Sequence, residues 1–281
     1  MDLLVEKEDL TVQLSEMGLI VKDVKAPLSK MVTTRNDISF KNGKLFYGAV
    51  NSEKEITVSA SYYADDDYMD LLFQDKLNAI LGSQEPFYIT RMYSLGDQYS
   101  FERPGESTGF DMTNSSRQFS YHYRWRVILS DVISYDFQGK SGKGLLTNVT
   151  ISFVTADIPF GLSIPEDIDL TGSSFISYLG TADCSQLEWP FYFELTATED
   201  QSNNFELSVN DRTFEYLGDK TIKKDDVFKI KGTSFLLNDL NINDKTNIEY
   251  FVLKPSSQNT NKISSDFKGT VLLKNKVDFY L

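Results

Sequence analysis

The sequence contains little of what disulfide bonding, metal binding or membrane insertion requires. Its single cysteine, Cys184, excludes a disulfide within the chain and excludes structural zinc bound by cysteines. With only one histidine, His122, the chain cannot form a nitrogen–sulfur site for a transition metal. No apolar run approaches the roughly 18 residues that span a bilayer, and the acidic N-terminal segment lacks the basic start of a signal peptide. We therefore expect no cofactor, no metal, no membrane segment, and synthesis in a reducing cytoplasm.

The acidic balance of the chain limits the partners that its surface can bind. At pH 7 the formal net charge is −13, which argues against general nucleic-acid binding through a basic surface. Aromatic residues make up 13% of the sequence, and phenylalanine and tyrosine favour strands and interfaces. With 281 residues the chain can bury a sizeable core, and its length favours two domains.

Residues 54–93 have the clearest secondary-structure pattern. Small or apolar side chains alternate along 54–62, which is typical of a half-buried strand. Asp65–Asp67 then offer acceptors for unpaired helix N–H groups, and apolar residues follow at helical spacing. This pattern predicts a helix over about 66–81, and a second strand over 87–93.

The remaining chain has the pattern of short strands and turns, so the predicted fold class is mainly β with a minor α contribution. We expect an N-terminal β domain over 1–160, completed by a C-terminal strand over 266–281. Residues 161–265 are expected to form an antiparallel β-sandwich, because short strand patterns recur about every ten residues. On the helix, Leu72 and Leu77 should face the sheet of the first domain.

Several connecting segments are also predicted from composition. Lys41–Lys44 has the Asn-Gly pair of a hairpin turn. Residues 94–118 are polar and rich in glycine and serine, which indicates a long loop or arm. Phe119–Tyr135 reads as one strand, and Ser256–Ser265 reads as a polar linker.

One short motif resembles a catalytic site. Gly105–Gly109 matches the G-x-S-x-G nucleophile elbow, with Ser107 as nucleophile and His122 as the only available base. The motif requires a preceding strand and a following helix, whereas its neighbours here are proline and a poor helix-forming segment. An esterase-like enzyme therefore stays one hypothesis, and a glycine-rich loop without catalytic residues is the interpretation that we favour.

Arginines cluster near a tryptophan in the middle of the chain. Five of the seven lie within a stretch of 36 residues: Arg91, Arg103, Arg117, Arg124 and Arg126. Arg124 and Arg126 flank Trp125 and share the face opposite the aromatic side chains. Such a cluster can bind single-stranded nucleic acid or form ion pairs on a sheet surface. We favour a subunit interface, with Arg91, Arg124, Trp125 and Arg126 as its candidate residues.

A second hypothesis is a carbohydrate-binding module that recognises sugars of a host cell wall. Sugar recognition would need exposed aromatic side chains in a groove of the sandwich. Trp189, Tyr192 and Tyr216 are the candidates, and packing in the core is the alternative that we favour for them.

Seven segments of the chain match the pattern of a known family: Glu55–Tyr62, Leu77–Gly82, Pro86–Thr90, Trp125–Tyr135, Val149–Thr155, Gly180–Pro190 and Leu272–Phe279. In this order they resemble the distal tail proteins of siphophages that infect Gram-positive bacteria. The resemblance implies an N-terminal β-barrel or belt-like domain bearing one helix, with a galectin-like β-sandwich attached. The His-Asn-Pro-Arg stretch and the Trp-Gly pair of sugar-binding galectins are absent.

The resemblance also implies a structural role in the virion and no enzymatic activity. By it, the chain forms a homo-hexameric ring, a hub between the tail tube protein and the tail-tip or baseplate proteins. Those partners include a tail-associated lysin or tail fibre protein and possibly receptor-binding proteins. DNA would pass through the channel without specific binding, and a negative channel lining would repel its phosphates.

Overall fold

The computed structural model describes residues 1–40, 42–94 and 118–281, and it is mainly β, as predicted. The chain divides into two compact units. We call Met1–Gly161 unit 1 and Leu162–Leu281 unit 2. The short strand β12 (Gly161–Leu162) lies where the two units divide.

Unit 1 contains an antiparallel sheet of nine strands and a separate two-stranded hairpin. In the sheet the order is β2-β1-β7-β9-β11-β6-β3, with β8 paired to β7 and β10 paired to β11, while β4 and β5 form the hairpin. The strand bounds are β1 (Asp2–Lys7), β2 (Leu10–Gln13), β3 (Ile20–Lys25), β4 (Lys30–Asp37), β5 (Lys44–Glu53), β6 (Glu55–Ala64), β7 (Phe87–Ser94), β8 (Gln118–Ser120), β9 (Trp125–Leu129), β10 (Ser134–Ser141) and β11 (Gly144–Thr155).

The core of unit 1 forms because its central strands alternate in hydrophobicity. On β6, Ile56, Val58 and Ala60 are buried, and the residues between them are less so. On β11, Ile151 and Phe153 are buried in the same way, opposite Val58 and Ile56 in the antiparallel register. These pairs share one face of the sheet, as period two requires.

Among the described residues there is one α-helix, α1 (Asp67–Leu81), and it begins where the aspartates predicted it. Asp66 is the N-cap residue, and its carboxylate accepts a hydrogen bond of 2.8 Å from the backbone N–H of Met69. Toward the core the helix presents Leu77 and Leu81, both fully buried. The prediction that Leu72 faces the sheet is wrong, because this side chain is 50% exposed.

The helix is also joined to the sheet by polar side chains. The Tyr62 hydroxyl donates to Asp70 at 2.6 Å, and the Thr147 hydroxyl donates to the same carboxylate at 3.1 Å. Nearby, the Tyr135 hydroxyl donates to the side-chain oxygen of Asn78 at 2.9 Å. Burial raises the pKa of Tyr62, and burial with nearby aspartates raises the pKa of Tyr135 to about 12.

The predicted strand Phe119–Tyr135 is three shorter elements in the structure. β8 pairs with the end of β7, β9 pairs with β7 and β11, and β10 pairs with β11. Apolar and polar residues alternate from Phe119 to Val127, so the pattern alone does not show where β8 stops and β9 begins. Ser130 and Asp131 interrupt the alternation at the second break, between β9 and β10.

Unit 2 contains two larger sheets and a short pair of strands. One sheet has the order β13-β24-β16-β19-β20-β21, the other has the order β14-β23-β17-β18, and β15 pairs with β22. The strand bounds are β13 (Glu166–Asp169), β14 (Phe175–Ser177), β15 (Cys184–Ser185), β16 (Tyr192–Ala197), β17 (Asn204–Val209), β18 (Arg212–Leu217), β19 (Val227–Lys231), β20 (Ser234–Leu237), β21 (Leu240–Asn241), β22 (Val252–Leu253), β23 (Thr260–Ser265), β24 (Gly269–Lys276) and β25 (Phe279–Tyr280).

Aromatic side chains from both sheets of unit 2 meet in a sandwich core. Phe205 on β17 contacts Phe228 on β19 with ring centroids 4.9 Å apart. Phe214 on β18 stacks on Phe235 of β20 at 5.0 Å. Because each contact joins the four-stranded sheet to the six-stranded one, these rings hold the sandwich together.

The last long strand lies inside this sandwich and not in unit 1, so the predicted domain bounds need correction here. β24 pairs with β13 on one side and β16 on the other, and its Val271 and Leu273 are buried. The segment expected to be a polar linker contains β23, which buries Asn261 and Ile263. Its polar composition hid a strand, because only alternate residues of a strand need to be apolar.

Candidate assembly surfaces

The hairpin of unit 1 exposes apolar side chains on strands that pair with no other described strand. Every residue of β4 is exposed. On β5, the exposed fractions of Phe46, Tyr47 and Val50 are 58%, 60% and 66%. An isolated two-stranded hairpin is only marginally stable in water. The predicted turn lies between β4 and β5, although Lys41 is outside the described residues. This hairpin therefore has the features of a surface that another protein chain covers.

Directly opposed residues show how the hairpin combines apolar and basic side chains. Val32 lies opposite Val50, and Arg35 lies opposite Phe46. Opposed residues share a face of a two-stranded sheet. The hairpin thus presents apolar area with a guanidinium beside it.

Helix α1 carries a second apolar stripe that does not contact the sheet. Tyr68, Leu71 and Leu72 are 70%, 61% and 50% exposed. Their spacing of three and four residues places them on one face of the helix. The exposed carboxylates of Asp67 and Asp75 lie at the two ends of this stripe.

The arginines predicted to form an interface bind groups of their own unit. The Arg124 guanidinium lies 3.9 Å above the Tyr88 ring and 3.4 Å from the Glu6 carboxylate. Arg126 forms an ion pair with Asp157, and Arg91 donates to the backbone carbonyl of Val24. These contacts match the alternative of ion pairs on a sheet surface, and the interface role of the three arginines stays a prediction.

Trp125 is not available for an interface, because its side chain is only 1% exposed in the core of unit 1. It lies on the inner face of β9 with Val127, while Arg126 between them is partly exposed. The predicted opposition of arginine and aromatic faces is therefore present, but the aromatic face points inward. Arg103 and Arg117 lie outside the described residues.

The three aromatic candidates for sugar binding have different positions in unit 2. Tyr216 is 4% exposed and packs against Phe205 and Phe228, so it cannot contact a sugar. Trp189 is partly buried, and its indole N–H donates to the Asn275 carbonyl at 2.8 Å. Tyr192 is partly exposed with the Lys231 ammonium 5.4 Å from its ring centroid. Sugar contact by Trp189 and Tyr192 stays a prediction.

A shallow cleft of about 420 Å³ lies on the six-stranded sheet of unit 2. Its lining is mostly polar or charged and comes from β16, β19 and the turn after β20: Glu194, Thr196, Val227, Lys229, Asn238 and Asp239. Lys229 and Asp239 form an ion pair of 2.7 Å across it. None of the three aromatic candidates lines this cleft.

Comparison with solved structures identifies the fold. The crystal structure of SPP1 Dit (gp 19.1), described as a paradigm of the hub adsorption apparatus in phages infecting Gram-positive bacteria, covers 99% of this chain and of its own, with 12% identity and a TM-score of 0.64. The fold is that of a phage distal tail (Dit) protein. No protein-family model matches the sequence, and no curated protein does either.

Chains of the activated phage p2 baseplate are also similar to this Dit-like chain, at 8% identity. The baseplate with strontium covers 97% of both chains with a TM-score of 0.39, and the baseplate with calcium covers 99% of both with a TM-score of 0.40.

The Dit-like fold places the catalytic candidates as follows. Ser107 and its glycine motif lie outside the described residues. His122 packs between Tyr121 and Tyr123, with ring centroids 4.1 and 5.0 Å away. In the part of the chain that is described, no three histidine, cysteine or acidic side chains are grouped as for a metal ion, and no helix has the length and apolar character of a membrane span.

Two of the surfaces on which this Dit-like unit exposes apolar side chains, the hairpin and the outer face of α1, were not predicted from the sequence. The hairpin strands contain Met31–Val32 and Leu45–Tyr47, which fit the general pattern of short strands and turns predicted for this part of the chain. The signal that could have revealed them is apolar residues on both faces of a hairpin that is flanked by polar turns. On the helix, Leu72 was predicted to face the sheet together with Leu77. The two are five residues apart, which is a rotation of about 140° around the helix, so they lie on different faces.

Proposed function

We propose that this protein is the distal tail protein of a siphophage, a structural hub formed by a hexameric ring. The observation that carries the proposal is the similarity to SPP1 Dit, which extends over 99% of both chains and therefore includes both units. A shared fold alone does not determine function, so the uncovered hairpin and helix stripe are the second support. They indicate that unit 1 works in contact with another protein chain.

The hub would join the tail tube protein to the tail-tip or baseplate proteins of the virion. Its partners would include a tail-associated lysin or tail fibre protein and receptor-binding proteins. The protein would be made in the cytoplasm of the bacterial host and would then be located at the tail tip. It would act by shape and contact without transforming a substrate.

DNA would leave the tail through the channel of the ring. The net charge of −13 supports a channel lining that repels phosphate and gives the passing DNA no binding site. A ring structure with a basic channel lining would contradict this part of the proposal and leave the ring itself standing.

Native mass spectrometry of the purified full-length chain tests the ring directly, and cryo-electron microscopy of the same sample shows its pore. We expect a species of six times the 32.0 kDa chain mass, together with monomer at low concentration. Labelling the chain in intact virions provides the second measurement. A chain that is monomeric at every concentration and absent from the tail tip would overturn the proposal.

A further inference from the structure

We propose that Asn42, at the tip of the β4–β5 hairpin, is a site of spontaneous deamidation, at which the chain converts its own asparagine to aspartate and isoaspartate. The inference goes beyond the proposed function and does not depend on the ring. It rests on the residue that follows Asn42, on the exposure of both residues, and on a contrast with an asparagine in a second hairpin.

The tip contains the only Asn-Gly pair of the sequence, Asn42–Gly43. The backbone nitrogen of Gly43 can bond to the side-chain carbon Cγ of Asn42, because the two atoms close a five-membered ring. A side chain on the second residue hinders this approach, and glycine has none. At Gly43 no atom lies within 4 Å of the place that a Cβ would occupy, and φ is +85°. The attacking nitrogen is therefore open to its target.

Both residues of the pair are exposed and lie between the end of β4 at Asp37 and the start of β5 at Lys44. Among the described residues, no hydrogen bond holds the side-chain amide of Asn42 or the backbone N–H of Gly43. The amide can thus rotate toward the Gly43 nitrogen, and water reaches the pair for the second step of the reaction.

Asn210, in the turn between β17 and β18, shows what restrains this reaction elsewhere in the chain. It is exposed too. Its side-chain N–H donates to Asn261 at 2.6 Å, and its side-chain oxygen accepts from the Lys262 backbone N–H at 3.0 Å. The next residue, Asp211, carries a side chain. Asn210 must break both hydrogen bonds before its amide can turn, and Asn42 has neither restraint.

The reaction has two steps. In the first, hydroxide removes the proton of the Gly43 nitrogen, which bonds to Cγ of Asn42. The bond from Cγ to the amide nitrogen breaks, and this nitrogen leaves as ammonia after taking a proton from water. The product is a succinimide ring within the main chain. In the second step, water adds to a ring carbonyl, the bond from that carbonyl to the Gly43 nitrogen breaks, and the nitrogen regains a proton. Addition at Cγ gives aspartate, and addition at the backbone carbonyl gives isoaspartate.

Either product changes the charge of the hairpin. Segment 30–53 carries four basic and two acidic residues, a net charge of +2, and one new carboxylate lowers this charge to +1. Isoaspartate also adds a carbon atom to the main chain at the tip. A chain that has aged in solution therefore presents a less basic hairpin than a newly made chain.

Incubation of the dilute, purified full-length chain in H₂¹⁸O at mildly alkaline pH tests the proposal. The chain is then digested in ordinary water at mildly acidic pH, and mass spectrometry with electron-transfer fragmentation distinguishes isoaspartate from aspartate. Only product that forms during the incubation carries ¹⁸O, so product that forms during handling is not counted. We expect labelled aspartate and isoaspartate at residue 42, at a rate about tenfold or more above that at residue 210.

Two variants separate the causes of the reaction. Asn42→Gln keeps an exposed amide but would have to close a six-membered ring, and it should give no labelled product at residue 42. Asp211→Gly creates a second Asn-Gly pair whose asparagine keeps its two hydrogen bonds, and residue 210 should still react more slowly than residue 42. Equal rates at the two residues in this variant would overturn the role given to the hydrogen bonds.

The same chain unfolded in urea provides the rate of an unrestrained Asn-Gly pair. If residue 42 gains ¹⁸O only when the chain is unfolded, or in the folded chain no faster than residue 210, the hairpin protects its amide and the proposal is wrong. Each result is read at residue 42 of a dilute chain, so it leaves the proposed ring untouched.

Discussion

Unit 1 and unit 2 contain similar kinds of strands but cover their apolar groups differently. In unit 2, Phe205 is 2% exposed and contacts several other rings between two sheets. In unit 1, Phe46 on the hairpin is 58% exposed, and the two hairpin strands pair only with each other among the described residues. The difference shows that the unit 2 sandwich buries its core rings between two sheets of one chain, whereas the unit 1 hairpin leaves apolar side chains exposed.

The largest expected effect tests the closed core of unit 2. Phe205→Ala should lower the free energy of unfolding of unit 2 by about 3–5 kcal/mol, because it removes a ring from a packed aromatic cluster. Phe46→Ala on the hairpin should change the stability of the monomer by less than about 0.5 kcal/mol. Hydrogen exchange resolved by peptide measures both units in one experiment. Equal losses for the two variants would contradict the comparison.

The two faces of helix α1 repeat the comparison within one element. Leu77→Ala should cost about 2–5 kcal/mol, because the side chain is fully buried. Leu72→Ala, the same change on the same helix, should cost less than about 0.5 kcal/mol in the monomer. Chemical denaturation followed by circular dichroism measures both. A large loss for Leu72→Ala would show that the outer face is packed in solution.

The helix cap supplies a smaller effect. Asp66→Ala removes the carboxylate that accepts from the Met69 N–H and should destabilise unit 1 by about 0.5–2 kcal/mol. Asp65→Ala removes an exposed neighbour that has no capping role and serves as the control. Equal effects of the two substitutions on the unfolding midpoint would argue that the charge of the segment matters and the cap does not.

The smallest effect concerns alkaline pH. The pKa of Tyr135 is raised to about 12 in the folded chain, so an unfolded tyrosine loses its proton first, from about pH 10. The contribution of this residue is therefore complete below pH 10 and is lost as the pH rises toward 12. Tyr135→Phe should flatten the decline of unit 1 stability over that interval. Tyr47→Phe on the exposed hairpin should leave this decline unchanged. An unchanged decline in the Tyr135→Phe variant as well would contradict the role given to Tyr135.

The features that sequence analysis predicted depend on neighbours along the chain. The capping aspartates, the helix bounds and the alternation of β6 follow from local hydrogen bonding and from periods of 3.6 and 2, so the structure confirms them. Those that it missed depend on partners far away in sequence. Whether β24 joins unit 1 or the sandwich is decided by its pairing with β13 and β16.

The exposure of the candidate surface residues also depends on contacts with residues far away in sequence. Trp125 is an aromatic residue between two arginines, and its side chain is buried because its face of β9 is the one covered by distant parts of the chain. Leu72 lies one residue from Phe73, and a rotation of about 100° around the helix separates an exposed side chain from one that packs on the core.

The lone thiol of the chain lies in the closed unit. Cys184 is fully buried, and burial raises its pKa, so a thiol reagent reaches it only when unit 2 opens. Its labelling rate therefore reports the opening of unit 2 alone, without any engineered probe. Measured on an assembled particle, the labelling rate of Cys184 would show whether assembly slows the opening of unit 2 or leaves it unchanged.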